Sequence, residues 1–377
     1  MMKRTTFPGQ RGVSLIELMI GMFIGLIAVL IISQVLLVSE GQKRTATSGS
    51  DAQTAGALAL YAVQRDVQTA GYGFSSFSNA VGCTINAQIG GVAVANFPSS
   101  LVPVTIKTQA TRGAGAIGDS IRVLASSKTS YTVPTLLIAA YAINATSFSV
   151  TSALGFTSGD LGLVAVDAAT PCWVFQVTAA PGSQSLPRAD QSTQWNGAGT
   201  PAQAYAIDSI VANLGTVVDN RYEINLVNNV PTLQVSSFDL SNPNTRTVRN
   251  IQSDIVAMKA YYGRDTNAGT ADGTIDTYDT TQPTTNDGWL RVSSVRLLVV
   301  ARSSHYEQEQ VTKAAPSWDV GTTPPTAGTG TCGSSQCVTF TDIGVSATSD
   351  VEANHYRYKV FEVIVPLRNL MWKESLT

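Results

Sequence analysis

Apolar residues dominate the start of the chain and predict a helix long enough to cross a membrane. Between residues 13 and 38 the polar positions are few, namely Ser14, Glu17, Ser33 and Gln34. From Leu18 to Ser39 there are 22 residues without a charged side chain. At about 1.5 Å per residue, a helix of this length spans the hydrocarbon core of a bilayer.

A second apolar pattern predicts that the helix continues from residue 40 toward residue 75. Its apolar positions recur at intervals of three and four residues, at Leu60, Val63, Val67 and Ala70. Such a stripe is typical of a helix that packs one face under a sheet. The end of the helix is predicted at Gly71 and Gly73. Local unwinding is predicted at three earlier glycines, Gly41, Gly49 and Gly56.

Beyond Ser75 the period of the pattern changes from helical to alternating, which predicts β-strands. Eight segments fit, at Ser120–Ala125, Ser147–Thr151, Gly162–Asp167, Cys172–Thr178, Tyr222–Leu226, Thr232–Ser237, Val292–Ala301 and Tyr358–Leu367. Turn sequences such as VNNVP, SNPN and DG separate several of them. Strands gathered after one long helix predict an α+β fold with a mostly antiparallel sheet.

The composition is unusually poor in charge. Only 13% of the 377 residues are charged, against about 25% in a typical soluble domain. The formal net charge is −2, so no basic excess indicates direct binding to nucleic acid. The two histidines, His305 and His355, cannot form a multi-histidine metal site, and we expect them at the surface or at strand edges. No G-x-S-x-G, Walker or H-E-x-x-H motif occurs, so the sequence predicts no enzyme.

Basic residues precede the apolar segment and predict its orientation. The chain opens MMKRTTFPGQRG, in which Lys3, Arg4 and Arg11 are charged and no acidic residue occurs. Positive charge beside a membrane span favours the cytoplasmic side, so the rest of the chain is predicted to lie outside the cytoplasm. The apolar segment is too long for the core of an ordinary secretory signal, and no A-x-A cleavage site follows it. A plain signal anchor stays open as an alternative.

Glu17 is a charged residue inside the apolar segment and needs a partner there. A charge within a membrane helix costs about 2.5–3.5 kcal/mol on insertion scales. If the chain is cut between Gly12 and Val13, the new α-amino group of Val13 is a cation. That cation is then able to pair with Glu17 of a neighbouring subunit.

The segment GVSLIE, which begins at Gly12, resembles the class III signal of type IV pilins and their relatives. The resemblance implies that the prepilin peptidase cuts after Gly12, that the new N-terminus at Val13 is methylated, and that Glu17 helps the subunit dock into a growing filament. Two positions depart from the usual pattern. Val13 replaces the common Phe, and Gln34 stands where major pilins usually carry a helix-kinking Pro. The second departure fits a minor pilin better than a major one.

Two glycines one helical turn apart, Gly21 and Gly25, form a G-x-x-x-G pair within the apolar segment. Such a pair lets two helices approach each other closely. Glycine is also simply common in membrane helices. Both interpretations stay open from the sequence.

The C-terminal third of the chain resembles the PilW family of minor pilins. The resemblance is carried by AYYGRDTN at 260–267, DGTIDTY at 272–278, WLRVSSVRLLVVARS at 289–303 and KVFEVIVPLRN at 359–369. It implies a pilin-like α+β fold whose long N-terminal helix packs on a β-rich head. The implied organisation is a leader at 1–12, a transmembrane or filament-core helix at 13–39, an amphipathic helix at 40–75 and the head at 76–377.

The family resemblance also implies a function and a set of partners. A minor pilin sits in inner-membrane lipid with its N-terminus cytoplasmic and its head periplasmic. It then assembles with other minor pilins, the major pilin and a tip adhesin into a complex that starts pilus growth and reaches the cell surface. Twitching motility, adhesion and DNA uptake are roles of such pili. The alternatives are a type II secretion pseudopilin, and a signal-anchored periplasmic binding or adhesive protein that never enters a filament.

Four cysteines in an exported chain favour two disulfides, because the periplasm and cell surface are oxidising. Of the three connectivities, we favour Cys83–Cys172 together with Cys332–Cys337, which closes the short loop CGSSQC. A metal pair and free thiols are the alternatives.

An acidic loop in the C-terminal third is a candidate calcium site, and no other cofactor is indicated. Its candidate ligands are Asp265, Asn267, Asp272 and Asp276, since carboxylate and amide oxygens are preferred by Ca²⁺. The match to an EF-hand loop is poor, because Gly269 stands at a ligand position and Thr270 at the position of the turn glycine. The other interpretation is a polar hairpin with solvated carboxylates and a turn at the DG pair.

Overall fold

A computed structural model describes residues 12–108, 117–189, 195–197, 200–267, 269, 271–322 and 330–371. The chain divides into two compact units, which meet in sequence between Ser50 and Asp51. The second of them, Asp51–Thr377, is called the larger unit below. Residues 1–11 of the predicted leader, and Thr270 of the acidic loop, lie outside the described residues.

The N-terminal helix, α1, runs without interruption over Leu15–Thr69, in a stretch that contains no proline. The predicted unwinding near residues 40–57 is therefore wrong. Packing explains the glycine at position 56 instead, because a Cβ atom there would collide with the ring of Phe361. The helix ends where the sequence predicts, and the glycines that follow, Gly71 and Gly73, have φ angles of 79° and 88°.

Most of the remaining elements are strands. They are β1 Ile85–Asn86, β2 Gln88–Ile89, β3 Val92–Ala93, β4 Val104–Lys107, β5 Ile117–Ala125, β6 Thr135–Leu136, β7 Ser147–Ser149, β8 Leu161–Ala165, β9 Cys172–Gln176, β10 Ser185–Pro187, β11 Ile210–Gly215, β12 Val218–Val227, β13 Val230–Phe238, β14 Arg246–Ser253, β15 Ile255–Arg264, β16 Thr277–Asp279, β17 Val292–Arg302, β18 Ser317–Gly321, β19 Gly330–Cys332, β20 Ser335–Thr339 and β21 Tyr358–Pro366. Two further α-helices are α2 Asn286–Leu290 and α3 Arg368–Met371, and 3-10 helices occur at Ser78–Ala80, Thr341–Ile343 and Glu352–His355.

Two antiparallel sheets and one face of α1 form the main core of the larger unit. Sheet I has the strand order β14-β13-β12-β5-β4, and sheet II has the order β16-β15-β17-β21. The predicted stripe of α1 is buried, with Val63 and Val67 at 1% exposure or less, and it belongs to the same apolar cluster as Ile121 of sheet I and Val299 of sheet II. Each such side chain stabilises the fold by about 1.5–3 kcal/mol through its burial.

Sheets I and II approach each other closely where β5 crosses β15. Gly118 of β5 has a φ angle of 67°, and a Cβ atom there would lie 2.6 Å from the backbone oxygen of Met258. The next residue, Asp119, is fully buried. Its carboxylate accepts a hydrogen bond from the backbone N–H of Ala260 at 3.1 Å and is 3.3 Å from the Lys259 ammonium. A charged, hydrogen-bonded residue therefore ties one sheet to the other at this crossing.

A third sheet, sheet III, is covered by apolar side chains on both faces. Its strand order is β1-β9-β8-β11-β6, with β1 parallel to β9 and the other pairs antiparallel. Leu163 of β8 packs into a cluster with Phe74, whereas the next residue, Val164, packs with Phe148 on the opposite face. Burial on both faces explains why every residue of β8 is buried.

Both predicted disulfide pairs occur in the structure. Cys83 is bonded to Cys172, with their Cα atoms 6.0 Å apart, beside the pairing of β1 with β9. Cys332 is bonded to Cys337, with their Cα atoms 5.5 Å apart, and joins β19 to β20. Closing the 89-residue separation of the first pair restricts the unfolded chain far more than closing the five-residue separation of the second.

The predicted fold class is confirmed, and each of the eight predicted strands overlaps an observed one. The main omissions are β11, β14 and β15; eight of the ten residues of β15 are buried, so its apolar and polar positions do not alternate. Every residue of β11 is buried, so the sequence shows no alternation there. β14 is an edge strand with mostly exposed, polar residues, so its apolar signal is weak.

Candidate functional site

The predicted processing and docking residues surround the first turn of α1. Ser14 immediately precedes the helix, and its backbone N–H donates a hydrogen bond to Oε2 of Glu17 at 3.2 Å. The backbone oxygen of Ser14 accepts from the N–H of Leu18 at 3.1 Å. The Glu17 carboxylate thus lies at the positive end of the helix, where unpaired N–H groups favour an anion.

This arrangement is one half of a capping box, in which a residue of the first turn bonds back to the N–H of the capping residue. The sequence interpretation gave Glu17 a role only in pairing with another subunit and missed its local one. The spacing of Ser14 and Glu17 in SLIE is the S-x-x-E signal of a capping box. That signal would have predicted both the start of α1 and the position of the carboxylate.

The bond between Gly12 and Val13 is exposed and lies just before this capped turn. Val13 is 73% exposed, and a Cβ atom at Gly12 would meet nothing within 4 Å. Among the described residues, nothing therefore gives a packing reason for glycine at this position. The role of Gly12 at the cleavage site stays a prediction.

The apolar segment of α1 presents its side chains to the outside. Among the described residues, α1 is long and apolar enough to cross a membrane. Large apolar residues such as Phe23, Leu30 and Leu37 are more than half exposed. A Cβ atom at Gly21 or Gly25 would meet nothing within 4 Å, so the two glycines leave one side of the helix flat and open to a neighbouring helix.

The motifs of the C-terminal third come together in sheet II. Gly263 of β15 pairs with Ser294 of β17, and Ser294 pairs in turn with Pro366 of β21. On the other side of β15, Gly263 pairs with Tyr278 of β16. Four segments that are separate in the sequence therefore form adjacent strands of one sheet.

The last of these motifs, LRN, connects sheet II to the end of α1. The Leu367 N–H donates to the backbone oxygen of Ser293 at 3.0 Å, and the Leu367 side chain is buried. The Asn369 side chain donates to the backbone oxygens of Thr69 and Ala70, at 3.2 Å and 3.0 Å. It thereby satisfies carbonyl groups that the end of a helix leaves unpaired.

The acidic loop forms an internal hydrogen-bonding network. Asp265 is buried and accepts from the N–H groups of Asn267 and Gly273 at 3.1 Å and 2.9 Å. Asp272 accepts from the side chain of Asn267 at 2.9 Å, and Asp276 accepts from the N–H of Thr266 at 2.7 Å. The hydrogen bond from Gly273 is the main reason that the pKa of Asp265 is lowered.

The guanidinium group of Arg291 supplies positive charge to this loop. It lies 3.8 Å from the Asp265 carboxylate and 2.7 Å from Asp287, and it donates to the backbone oxygens of Asn267 and Gly269. The described residues contain no group of three or more His, Cys, Asp or Glu side chains arranged to hold a metal. The calcium site at Asp265, Asn267, Asp272 and Asp276 therefore stays a prediction, with the polar hairpin as its alternative.

His355 is buried, contrary to the expectation of a surface or strand-edge residue. Its Nδ1 atom is 2.7 Å from the backbone oxygen of Glu307, and its Nε2 atom is 2.7 Å from the carboxylate of Asp350. The ring also stacks on Tyr306, with the centroids 4.5 Å apart. Because both nitrogens face acceptors, the doubly protonated ring makes both hydrogen bonds. Nothing in the local sequence indicates the hydrogen bond between His355 and Glu307, which joins two separate loops.

We expect the stability of the larger unit to decrease as pH rises above about 6.5 because of His355. Burial opposes the charged ring, but the hydrogen bonds to Asp350 and Glu307 outweigh it and raise the pKa of His355. The contribution is complete below the unfolded-state pKa of about 6.5 and is lost as pH rises through the folded-state pKa. The measurement is the melting temperature of the full chain at pH values on both sides of this window.

The variant His355→Gln should flatten this pH dependence. His305→Gln is the matched control, because His305 is exposed, and it should leave the pH dependence of the melting temperature as in the unmodified chain. Equal pH dependence in the unmodified chain and in His355→Gln would show that the prediction is wrong.

Known families match two parts of the chain. Residues 218–369 match the PilW family, described as Type IV Pilus-assembly protein W. Residues 8–33 match the prokaryotic N-terminal methylation motif. No curated protein matches the chain. Among solved structures, the type IV-like pilin TTHA1219 from Thermus thermophilus is similar at 10% identity and a TM-score of 0.30, over 83% of this chain and 94% of that chain.

These matches fall on the two regions whose geometry is described above. The methylation motif includes Gly12, Val13 and Glu17 at the start of α1. The PilW match begins with β12 and ends at Asn369, the residue that bonds the end of α1. The motif implies processing by prepilin peptidase and assembly with other pilins. Residues 218–369 therefore carry a PilW family domain, and residues 8–33 carry a methylation motif of the class III prepilin type.

Proposed function

We propose that this chain is a structural, non-enzymatic subunit of the complex that starts type IV pilus growth and remains at the pilus tip. The observation that carries the proposal is the exposed apolar length of α1 with Glu17 in its first turn, beside the Gly12–Val13 bond. Before assembly, the helix lies in the inner membrane with its N-terminus cytoplasmic and the larger unit periplasmic. Prepilin peptidase then releases Val13 as the new N-terminus.

Movement from lipid into a filament costs little for the apolar part of α1. Side chains such as Phe23 and Leu30 are surrounded by hydrocarbon in the membrane and by the apolar helices of other pilins in a filament. The carboxylate of Glu17 is the group that distinguishes the two environments. In lipid it carries an insertion cost of about 2.5–3.5 kcal/mol, whereas in a filament the α-amino group of a neighbouring subunit compensates its charge.

The test of processing is mass spectrometry of the full chain purified from membranes of the cell that encodes it. We expect a mature protein that begins at Val13 and carries a methyl group on its α-amino nitrogen. A protein that retains Met1 or Met2 would contradict the proposal and would identify a signal-anchored protein instead.

A second experiment distinguishes the pilus from a secretion system. We expect deletion of the gene to reduce surface pili, and expression of the intact chain to restore them. Normal piliation together with a loss of protein secretion would overturn the proposal in favour of a type II secretion pseudopilin.

A further inference from the structure

A small polar cavity lies on sheet I, on the face that does not contact α1. Its volume is about 110 Å³, and basic and hydroxyl side chains line it, among them Lys107 and Thr105 of β4, Ser120 and Arg122 of β5, and Arg221 of β12. We call it the basic pocket. Since liquid water occupies roughly 30 Å³ per molecule, the pocket has the volume of about four water molecules, which suits a compact anion with four oxygens.

The strand register concentrates positive charge in the basic pocket. Arg122 lies directly opposite Arg221, and Lys107 lies opposite Ser120 on neighbouring strands. Like charges at opposed positions of a sheet repel each other. Within the described part of the chain, neither Lys107 nor Arg221 forms an ion pair. No described carboxylate therefore lies within ion-pair distance of these two cations, although Glu223 and Asp219 act on Arg221 from farther away.

One buried carboxylate holds Arg122 in place. The carboxylate of Asp219 is fully buried and receives hydrogen bonds from Nε and Nη2 of Arg122, each at 2.6 Å. Arg246 also donates to it, at 2.8 Å. Asp219 is thus shared between two guanidinium groups. Among the described contacts, Nη1 of Arg122 makes no hydrogen bond, so its N–H groups are available to a ligand.

The titration of Arg221 also reflects a positive environment. Its burial, and the charges of Arg122 and Arg246, lower its pKa, although Glu223 and Asp219 oppose this effect. A guanidinium group does not lose its proton at physiological pH. An anion is therefore the species that relieves the repulsion.

We propose that the basic pocket binds a tetrahedral oxyanion, such as a phosphate or sulfate group, between Arg122, Arg221 and Lys107. Guanidinium groups match the oxygens of such an anion with paired N–H donors, and Lys107 adds a mobile charge. The hydroxyl groups of Thr105 and Ser120 are further donors for the remaining oxygens. The site is separate from α1 and does not depend on the proposed function. A free ion and the terminal phosphate of a larger molecule share this chemistry.

The test is isothermal titration calorimetry of the detergent-solubilised full chain with inorganic phosphate, at an ionic strength held constant with chloride. We expect saturable binding that Arg221→Gln weakens about tenfold, because hydrogen bonds between charged groups contribute strongly. Lys107→Gln should weaken binding by a smaller factor. Methyl phosphate is a second probe that distinguishes a phosphate group of a larger molecule from a free ion. If methyl phosphate binds as tightly as inorganic phosphate or more tightly, the ligand is a phosphate on a larger molecule. If it binds more weakly, the ligand is the free ion.

Arg249→Gln is the matched control, because Arg249 is an exposed arginine of the same sheet, three residues after Arg246 in β14. It should bind phosphate as the unmodified chain does. The melting temperature of each variant shows whether it is folded. Lys107 is exposed and does not contact Asp219, so Lys107→Gln tests the pocket without disturbing the ion pairs of Asp219. Unchanged affinity in both Arg221→Gln and Lys107→Gln, or no heat beyond that of chloride, would overturn the proposal.

Discussion

Replacing Gly118 with alanine is expected to lower the free energy of unfolding of the larger unit by about 3 kcal/mol. Gly118 has a φ angle of 67°, which costs an L-residue about 1–2 kcal/mol. The added Cβ atom would also lie 2.6 Å and 2.8 Å from the backbone oxygen and nitrogen of Met258. Backbone atoms of a central strand cannot rotate away, so β5 and β15 have to separate, and overpacking of this kind costs about 1–3 kcal/mol.

The separation would also disturb the neighbouring contact between the two sheets. Asp119 is fully buried and accepts from the N–H of Ala260. A buried carboxylate that loses a donor pays the cost of its desolvation. The expected loss therefore includes a polar contribution beside the steric one.

The measurement is chemical unfolding of the detergent-solubilised full chain, followed by tryptophan fluorescence. All five tryptophans belong to the larger unit, so the signal reports on it. Gly91→Ala is the matched control, since Gly91 has a φ angle of 80° with nothing within 4 Å of the added atom. It should cost only about 1–2 kcal/mol. Equal losses in the two variants would mean that the contact with Met258 is unimportant.

Gly118 also illustrates what could not be predicted from the sequence. The helix α1 was predictable because its apolar spacing is local, and strands such as β12 and β13 were predictable because their residues alternate. The crossing of β5 over β15 brings together Gly118 and Met258, which are far apart in the chain. No local pattern records such a contact, so the glycine could not be distinguished from those of ordinary turns.

The candidate site divides in the same way. The signal that predicts Gly12, Val13 and Glu17 lies within six residues. The same six residues contain the S-x-x-E spacing, from which the hydrogen bond between Ser14 and Glu17 could have been predicted. The acidic loop was predicted as a cation site because its carboxylates are close in sequence. Arg291, which supplies the positive charge, comes from beyond the loop and is placed there only by the fold. The arginines of the basic pocket were likewise invisible as a cluster, because they meet through strand register.

Replacing Glu17 with alanine is expected to leave the chain in the membrane and to reduce its incorporation into pili at least tenfold. Removing the charge makes the apolar segment easier to insert, by up to the cost of about 2.5–3.5 kcal/mol that the charge imposes. The same change removes the partner of a neighbouring α-amino group, so the filament loses its advantage over lipid. A tenfold decrease corresponds to about 1.4 kcal/mol, which is less than this lost compensation.

The measurement compares the amount of the chain in sheared pili with the amount in membranes of the same cells. Glu40→Ala is the matched control, because Glu40 is also an exposed carboxylate of α1 but follows the uncharged segment; its incorporation should stay within about twofold of the unmodified chain. Processing at Val13 is checked by mass spectrometry in each strain, so that a failure of cleavage is not taken for a failure of assembly. Since the loss of the capping bond affects only the first turn of the helix, membrane retention should be unchanged. Normal incorporation of correctly processed Glu17→Ala would remove Glu17 from the docking mechanism, and would leave the apolar surface of α1 as the whole driving force for entry into the filament.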